Sequence, residues 1–131
     1  MSAQPELIDL DAPLAGDFLA VVRLIIGGIA ERVDFAFEEI DDLQLAVERL
    51  LAEAGTEGTV HLRFEVRDEA IRAHVGPLDE RAVAHALRDG DAPLGELTLG
   101  RILTTVVDSF GVEDAGKDQI VVRLDKRRGW A

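Results

Sequence analysis

The chain has 131 residues, 47% of them apolar, and a formal net charge of -12 from 26 acidic against 14 basic residues. That length suits one domain with its own hydrophobic core, and the apolar content sets it apart from disordered chains. The charge repels phosphate backbones and argues against nucleic-acid binding, and the absence of cysteine excludes disulfides, thiolate nucleophiles and Cys-type zinc sites.

The first six residues, Met1 to Glu6, carry no basic run and no apolar stretch, so no signal peptide is expected and a cytoplasmic location is. Glu6 to Asp11 alternates in part and predicts an edge strand, ended by Pro13 and Gly16. Asp17 is a candidate N-cap for a helix from Phe18 to about Arg32. Phe18, Val22, Ile25, Ile29 and Val33 recur at helical spacing and predict a core stripe. Leu19, Val21, Leu24 and Ile26 widen the apolar surface, so this helix is buried on two sides or covered by a partner. The apolar stretch from Phe18 to Ala30 is interrupted by Arg23 and is too short to span a bilayer, so no membrane role is expected.

A second helix is predicted from about Phe37 to Ala54, with Leu43, Ala46, Val47, Leu50 and Leu51 as its buried face and Gly55 to Gly58 as its stop. Val60, Leu62, Phe64 and Val66 alternate with His61, Arg63, Glu65 and Arg67, which predicts an antiparallel strand with one wet face. A turn at Asp68-Glu69 leads to a strand through Ile71, Ala73 and Val75, which Gly76-Pro77 is expected to break. A short helix from Glu80 to Arg88, a loop from Asp89 to Gly95 and a long helix from Leu97 to Ser109 follow. Gly111 to Asp118 reads as a turn region, Ile120 to Leu124 as a last strand, and residues 126–131 as a polar tail. The predicted fold class is a two-layer α/β (α+β) sandwich in a single domain, order β-α-α-β-β-α-α-β, its mixed or antiparallel sheet covered on one face by helices.

The chemistry-bearing residues form no independent catalytic motif. His61, His74 and His85 lack short metal-ligand spacing. Ser2 and Ser109 sit in no nucleophile elbow. The pairs Glu38-Glu39 and Asp41-Asp42 suit the first turns of a helix, where the dipole favours negative charge.

The run Asp42-Leu43-Gln44-Leu45-Ala46-Val47-Glu48 continues to Arg49, Glu53 and Ala54. It resembles the ATP-site helix of the anti-sigma-factor serine-protein kinases, whose fold is the GHKL (histidine-kinase-like, Bergerat) ATPase fold. The resemblance extends in element order from about residue 6 to residue 125. It implies a Glu that activates the attacking group and an Asn that holds magnesium; these positions fall on Arg49 and Glu53. Guanidinium is no general base, and Glu53 can serve magnesium only if a nucleotide brings the ion. A second family box, D-x-G-x-G, falls on His74, Gly76 and Leu78, and a third, G-x-G-L, leaves Gly100 as its remaining glycine. The expected nucleotide site is therefore degenerate, with no catalytic residue and no resident ATP, magnesium or other metal. The resemblance further implies a protein partner, a sigma factor or its antagonist, held by the first helix with Arg23 as an anchor, and a homodimer as a possible assembly. Three functions follow: an anti-sigma-type regulatory binder, a divergent ATP-dependent serine/threonine kinase, or a non-catalytic dimerisation module.

Overall fold

A computed structural model describes residues 4–55, 57–87 and 98–129. Strand β1 (Glu6–Pro13) leads into helices α1 (Gly16–Arg32) and α2 (Phe37–Ala54). A hairpin of β2 (Thr59–Val66) and β3 (Ala70–Asp79) follows, then α3 (Glu80–Leu87), α4 (Leu99–Val106), β4 (Ser109–Asp114) and β5 (Gln119–Arg127). The five strands form one antiparallel sheet in the order β1-β2-β3-β5-β4. The helices cover one face, as the alternation in β2 requires: Val60, Leu62, Phe64 and Val66 are buried under them. Among the described residues no helix is long and apolar enough to cross a membrane.

The core joins these strand residues to Leu43, Ala46, Val47, Leu50 and Leu51 of α2, all buried. The 100° step of the helix places these five on one face. The start of α2 is secured by Glu39, whose side chain accepts from the Ala36 N–H at 2.6 Å and from the Gly129 N–H. Its first helical turn is thereby tied to the end of the chain.

Several expectations are corrected. Asp17 does not cap α1; Ala15 occupies the N-cap and Asp17 lies in the first turn, where its charge suits the dipole. Phe18 leaves the predicted core stripe, being 43% exposed, whereas Val22, Ile29 and Val33 are buried and the half-buried Ile25 packs against the core. Gly76-Pro77 does not end β3. The strand absorbs the pair, joined by a cis bond, in a register shift between Val75 and Leu78, and then pairs Leu78 with Ile120. A bulge of this kind lets proline sit in an inner strand without breaking the ladder.

The predicted long last helix is shorter: α4 ends at Val106, and the expected turn region instead contains β4. The strand was obscured because Gly111 and the acidic Glu113-Asp114 have low strand propensity; pairing with β5 overrides it. Lys126 and Arg127, read as tail, complete β5. The loop from Asp89 to Gly95, Arg88, Leu97 and Trp130 lie outside the described residues.

Gly76 runs so close to β5 that an added Cβ would lie 2.8 Å from the Ile120 carbonyl oxygen. Backbone cannot yield there as a side-chain tip could. Gly76→Ala is expected to cost about 1–3 kcal/mol, read as a lower denaturant midpoint at unchanged slope; a midpoint within error of the parent would show that β3 and β5 can separate freely.

Candidate functional site

Arg49 and Glu53 lie one turn apart on α2. Asp42 stands on the same flank by helical spacing, and its carboxylate takes the Lys126 ammonium at 3.3 Å while that ammonium also donates to the Val106 carbonyl of α4. The flank carrying Arg49 and Glu53 thus looks toward α4 and not toward α1. Arg49 is exposed, Glu53 is half-buried, and neither takes a hydrogen-bond or ion-pair partner among the described residues.

Gly100 occupies the first turn of α4, buried, with its carbonyl accepting from the Thr104 hydroxyl at 2.8 Å. Thr98 caps this helix, its hydroxyl accepting from the Arg101 N–H at 3.2 Å. The start of α4, the last two turns of α2 and the Gly76 end of β3 lie at the same end of the molecule, because Lys126 near the end of β5 meets the start of α2 at Asp42 and the end of α4 at Val106, so that α2 runs antiparallel to β5 and α4 parallel to it. Gly76 therefore belongs to this end of the fold, but its open side is occupied by β5.

His74 is not brought to this group. It shares the open sheet face with Glu65 and Glu113 and contacts Glu65 at 2.6 Å. The reason is parity: Ala73 and Val75 are fully buried under the helices, so His74 must point the other way. Leu78 is buried.

That open face carries a polar network which sequence reading left unassigned. His61 is gripped on both ring nitrogens, by Asp11 at 2.6 Å and Asp9 at 2.8 Å, and Arg63 reaches Asp9 at 2.8 Å. Asp125 takes Arg72, Arg123 and Ser109. The alternation of β1, β2, β3 and β5 contained the signal, but the strand register was needed to show which charges meet. Hydrogen bonds that its ring donates to Asp11 and Asp9 raise the His61 pKa above its ordinary 6.5, and hydrogen bonds from Arg63 and His61 lower that of Asp9 below 3.8.

The signs of the two shifts define a window. A raised His61 stabilises the fold fully below 6.5 and loses that contribution as pH climbs through its folded value. A depressed Asp9 contributes above 3.8 and loses it as pH falls through its folded value. The network therefore contributes most between pH 3.8 and 6.5. His61→Gln is expected to flatten the fall in thermal stability above pH 6.5; identical pH profiles for the two proteins would remove His61 from that role.

Arg23 stands where α1 meets α2. Its guanidinium is forked between Glu48 at 2.5 Å and Asp41 at 3.0 Å, and its carbonyl accepts from Gln44 at 2.9 Å. These carboxylates raise its pKa further, Glu48 foremost. The side chain is 44% exposed, so solvent screens the pairs. Arg23→Ala is expected to cost less than about 1 kcal/mol, measured as a denaturant midpoint; a loss several times larger would make the fork a principal brace of the helix layer. Beyond Arg23, on the side of α1 turned from α2, Phe18, Val21 and Leu24 form an exposed apolar stripe, with Leu24 76% exposed.

Compared with models of protein families, the sequence matches none. Compared with individual proteins, it is similar to the serine-protein kinase RsbW of Halalkalibacterium halodurans, 31% identical over 129 residues that span 86% of this chain and 80% of that protein. It is 25% identical over 92 residues to the serine-protein kinase RsbW of Bacillus subtilis, across 70% of this chain and 55% of that protein. The RsbW of Bacillus pumilus is 29% identical over 80 residues, 54% of this chain and 49% of its own length. With the antiparallel sheet, the helix layer and the α2 motif in place, the first of these relationships covers enough of both chains to decide kinship: the chain belongs to the family of the serine-protein kinase RsbW.

Proposed function

We propose that this protein is an anti-sigma-type regulator that captures a protein partner, a sigma factor or its antagonist, on the outer surface of α1, with phosphoryl transfer weak or lost. The observation that carries this reading is the exposed apolar stripe of Phe18, Val21 and Leu24 on the side of α1 turned from α2. Apolar side chains grouped on one exposed helix face suit an interface core, with Arg23 on the α2 side of α1 as a polar contact. The Glu48–Asp41 fork holds the guanidinium in one direction before any partner arrives, which lowers the ordering cost of binding. The strongly acidic chain favours a partner with a basic surface.

The loss of chemistry is supported by the residues at the α2 positions. A serine kinase needs a group that accepts the hydroxyl proton and ligands for the metal on the phosphates. Arg49 offers only donors, and His74 lies on the other face of the sheet. Glu53 supplies one carboxylate that suits magnesium, but nothing beside it completes a metal site among the described residues. The set fits a magnesium nucleotide poorly, so no step is assigned to one.

The second reading, a divergent kinase, is favoured by the name its relatives carry, serine-protein kinase, and by Glu53 at the α4 end, which takes no partner among the described residues. A thermal-shift titration with ATP and ADP, with and without magnesium, separates the two. The expected result is no shift at millimolar nucleotide. A magnesium-dependent shift approaching the ~2.7 kcal/mol given by ligand at 100 times its Kd, abolished by Glu53→Ala, would establish the kinase reading instead. Calorimetric titration with purified sigma factors tests capture directly; a homodimer on the same stripe would appear as concentration-dependent sedimentation.

A further inference from the structure

At the end of the sheet away from Arg49, Glu53 and Gly100 lies a cleft of about 870 Å³ with four arginines in its wall, Arg32, Arg67, Arg127 and Arg128. The separation follows from β3: Ala70 lines the cleft and Gly76 stands at the other end, about 20 Å along the strand. In a chain of net charge -12 whose cations are scarce, one third of the twelve arginines meet here, from the last turn of α1, the β2–β3 turn and the end of β5.

Two of the four are built into the wall. Arg32 donates to both oxygens of Glu6, at 2.9 and 3.0 Å. Arg128 donates to Glu69 at 3.2 Å and to the Val33 carbonyl at 3.3 Å, and its own N–H is held by the Glu69 carbonyl at 2.7 Å. Those pairs engage two of the three carboxylates of the cleft and leave Asp68. The other two arginines are open. The carboxylate nearest Arg67 is Glu65, at 4.0 Å, and the Arg127 guanidinium takes no partner among the described residues. The backbone that aims them is fixed, since the Arg67 N–H donates to the Ala70 carbonyl at 2.9 Å and Ala70 pairs with Arg127 across the β3–β5 ladder.

We propose that this cleft is a binding site for a compact phosphate-type oxyanion, gripped by Arg67 and Arg127 and separate from the nucleotide-site positions on α2. A phosphate presents several acceptor oxygens to planar guanidinium forks, and two such forks flanking the start of β3, one from the β2–β3 turn and one from β5, engage it together where a single carboxylate would satisfy only one. The same chemistry is offered by free polyphosphate and by a phosphorylated side chain.

The test is calorimetric titration of the full chain with inorganic pyrophosphate, and in a parallel arm with a short phosphoserine peptide, at low and high salt. Saturable binding that weakens with salt is expected, and Arg67→Gln with Arg127→Gln together should weaken it roughly tenfold or more. Arg81→Gln, on α3, should leave it unchanged. The arm with the tighter binding identifies the source of the phosphate. Absence of binding in both arms, or binding removed by Arg49→Gln and untouched by the double variant, would overturn the proposal. If the double variant does not fold, each single variant is titrated instead, and the same loss is required of at least one.

Discussion

Truncating Phe64 to alanine is expected to lower the unfolding free energy by about 3–5 kcal/mol. The ring is fully buried in β2 beneath the helix layer, between Ile8 on β1 and Ala73 on β3 in register. Ala73 is too small to fill the vacated volume, and β2 is held by ladders on both sides, so the void cannot collapse. Domains of this size have only about 5–15 kcal/mol of stability in total, and the variant should unfold at a much lower denaturant concentration. A companion change, Val112→Ala, removes a residue that is 49% exposed on the outer strand β4 and should stay within about 0.5 kcal/mol of the parent. A loss at Phe64 no greater than at Val112 would mean that the core does not pack around β2 as described.

The second large effect concerns partner capture. Leu24→Glu should reduce affinity for a cognate sigma factor by about a hundredfold or more, the effect of removing one central anchor and burying a carboxylate in its place. Leu24 is 76% exposed, so the same change should leave the melting temperature of the free protein almost unaffected. This separation makes it a cleaner probe than Arg23→Glu, which would set a third carboxylate between Glu48 and Asp41 and disturb the fold as well as the surface. Undiminished binding by Leu24→Glu, with a parent protein that does bind, would move the interface off α1. Should neither protein bind any sigma factor while Leu24→Glu alone abolishes self-association, the stripe is a homodimer face.

The two variants bear on opposite layers of one architecture. Phe64 is buried because alternation in β2 gives it a fixed face, and Leu24 is exposed because α1 has more apolar surface than the sheet can cover. The outer apolar stripe of α1 is thus the part of the helix layer without an internal use. The arginine cleft is a corresponding excess of charge, with two guanidiniums beyond what its carboxylates engage.

Local sequence determined the elements with strong periodicity. The 3.6-residue apolar spacing specified α2 and its buried face, and the alternation from Val60 to Val66 specified a strand with one wet side, because each pattern suits only one backbone geometry. The D-L-x-L-A-V frame on α2 was likewise readable, and kinship with the RsbW kinases agrees with it. Tertiary structure decided what depends on residues far apart in the chain. The β4 strand forms only because β5 supplies its hydrogen-bond partners, and β3 passes through Gly76-Pro77 only because a bulge against β5 accommodates the pair. It also decided the side on which each polar group falls: His74 is separated from Glu53 by the thickness of the sheet, Arg23 is claimed by two carboxylates of α2, and Arg67 and Arg127, sixty residues apart, reach the same cleft. Periodicity reports which face of its own element a residue occupies; which elements then meet is set by strand register and helix packing, and no local pattern encodes those.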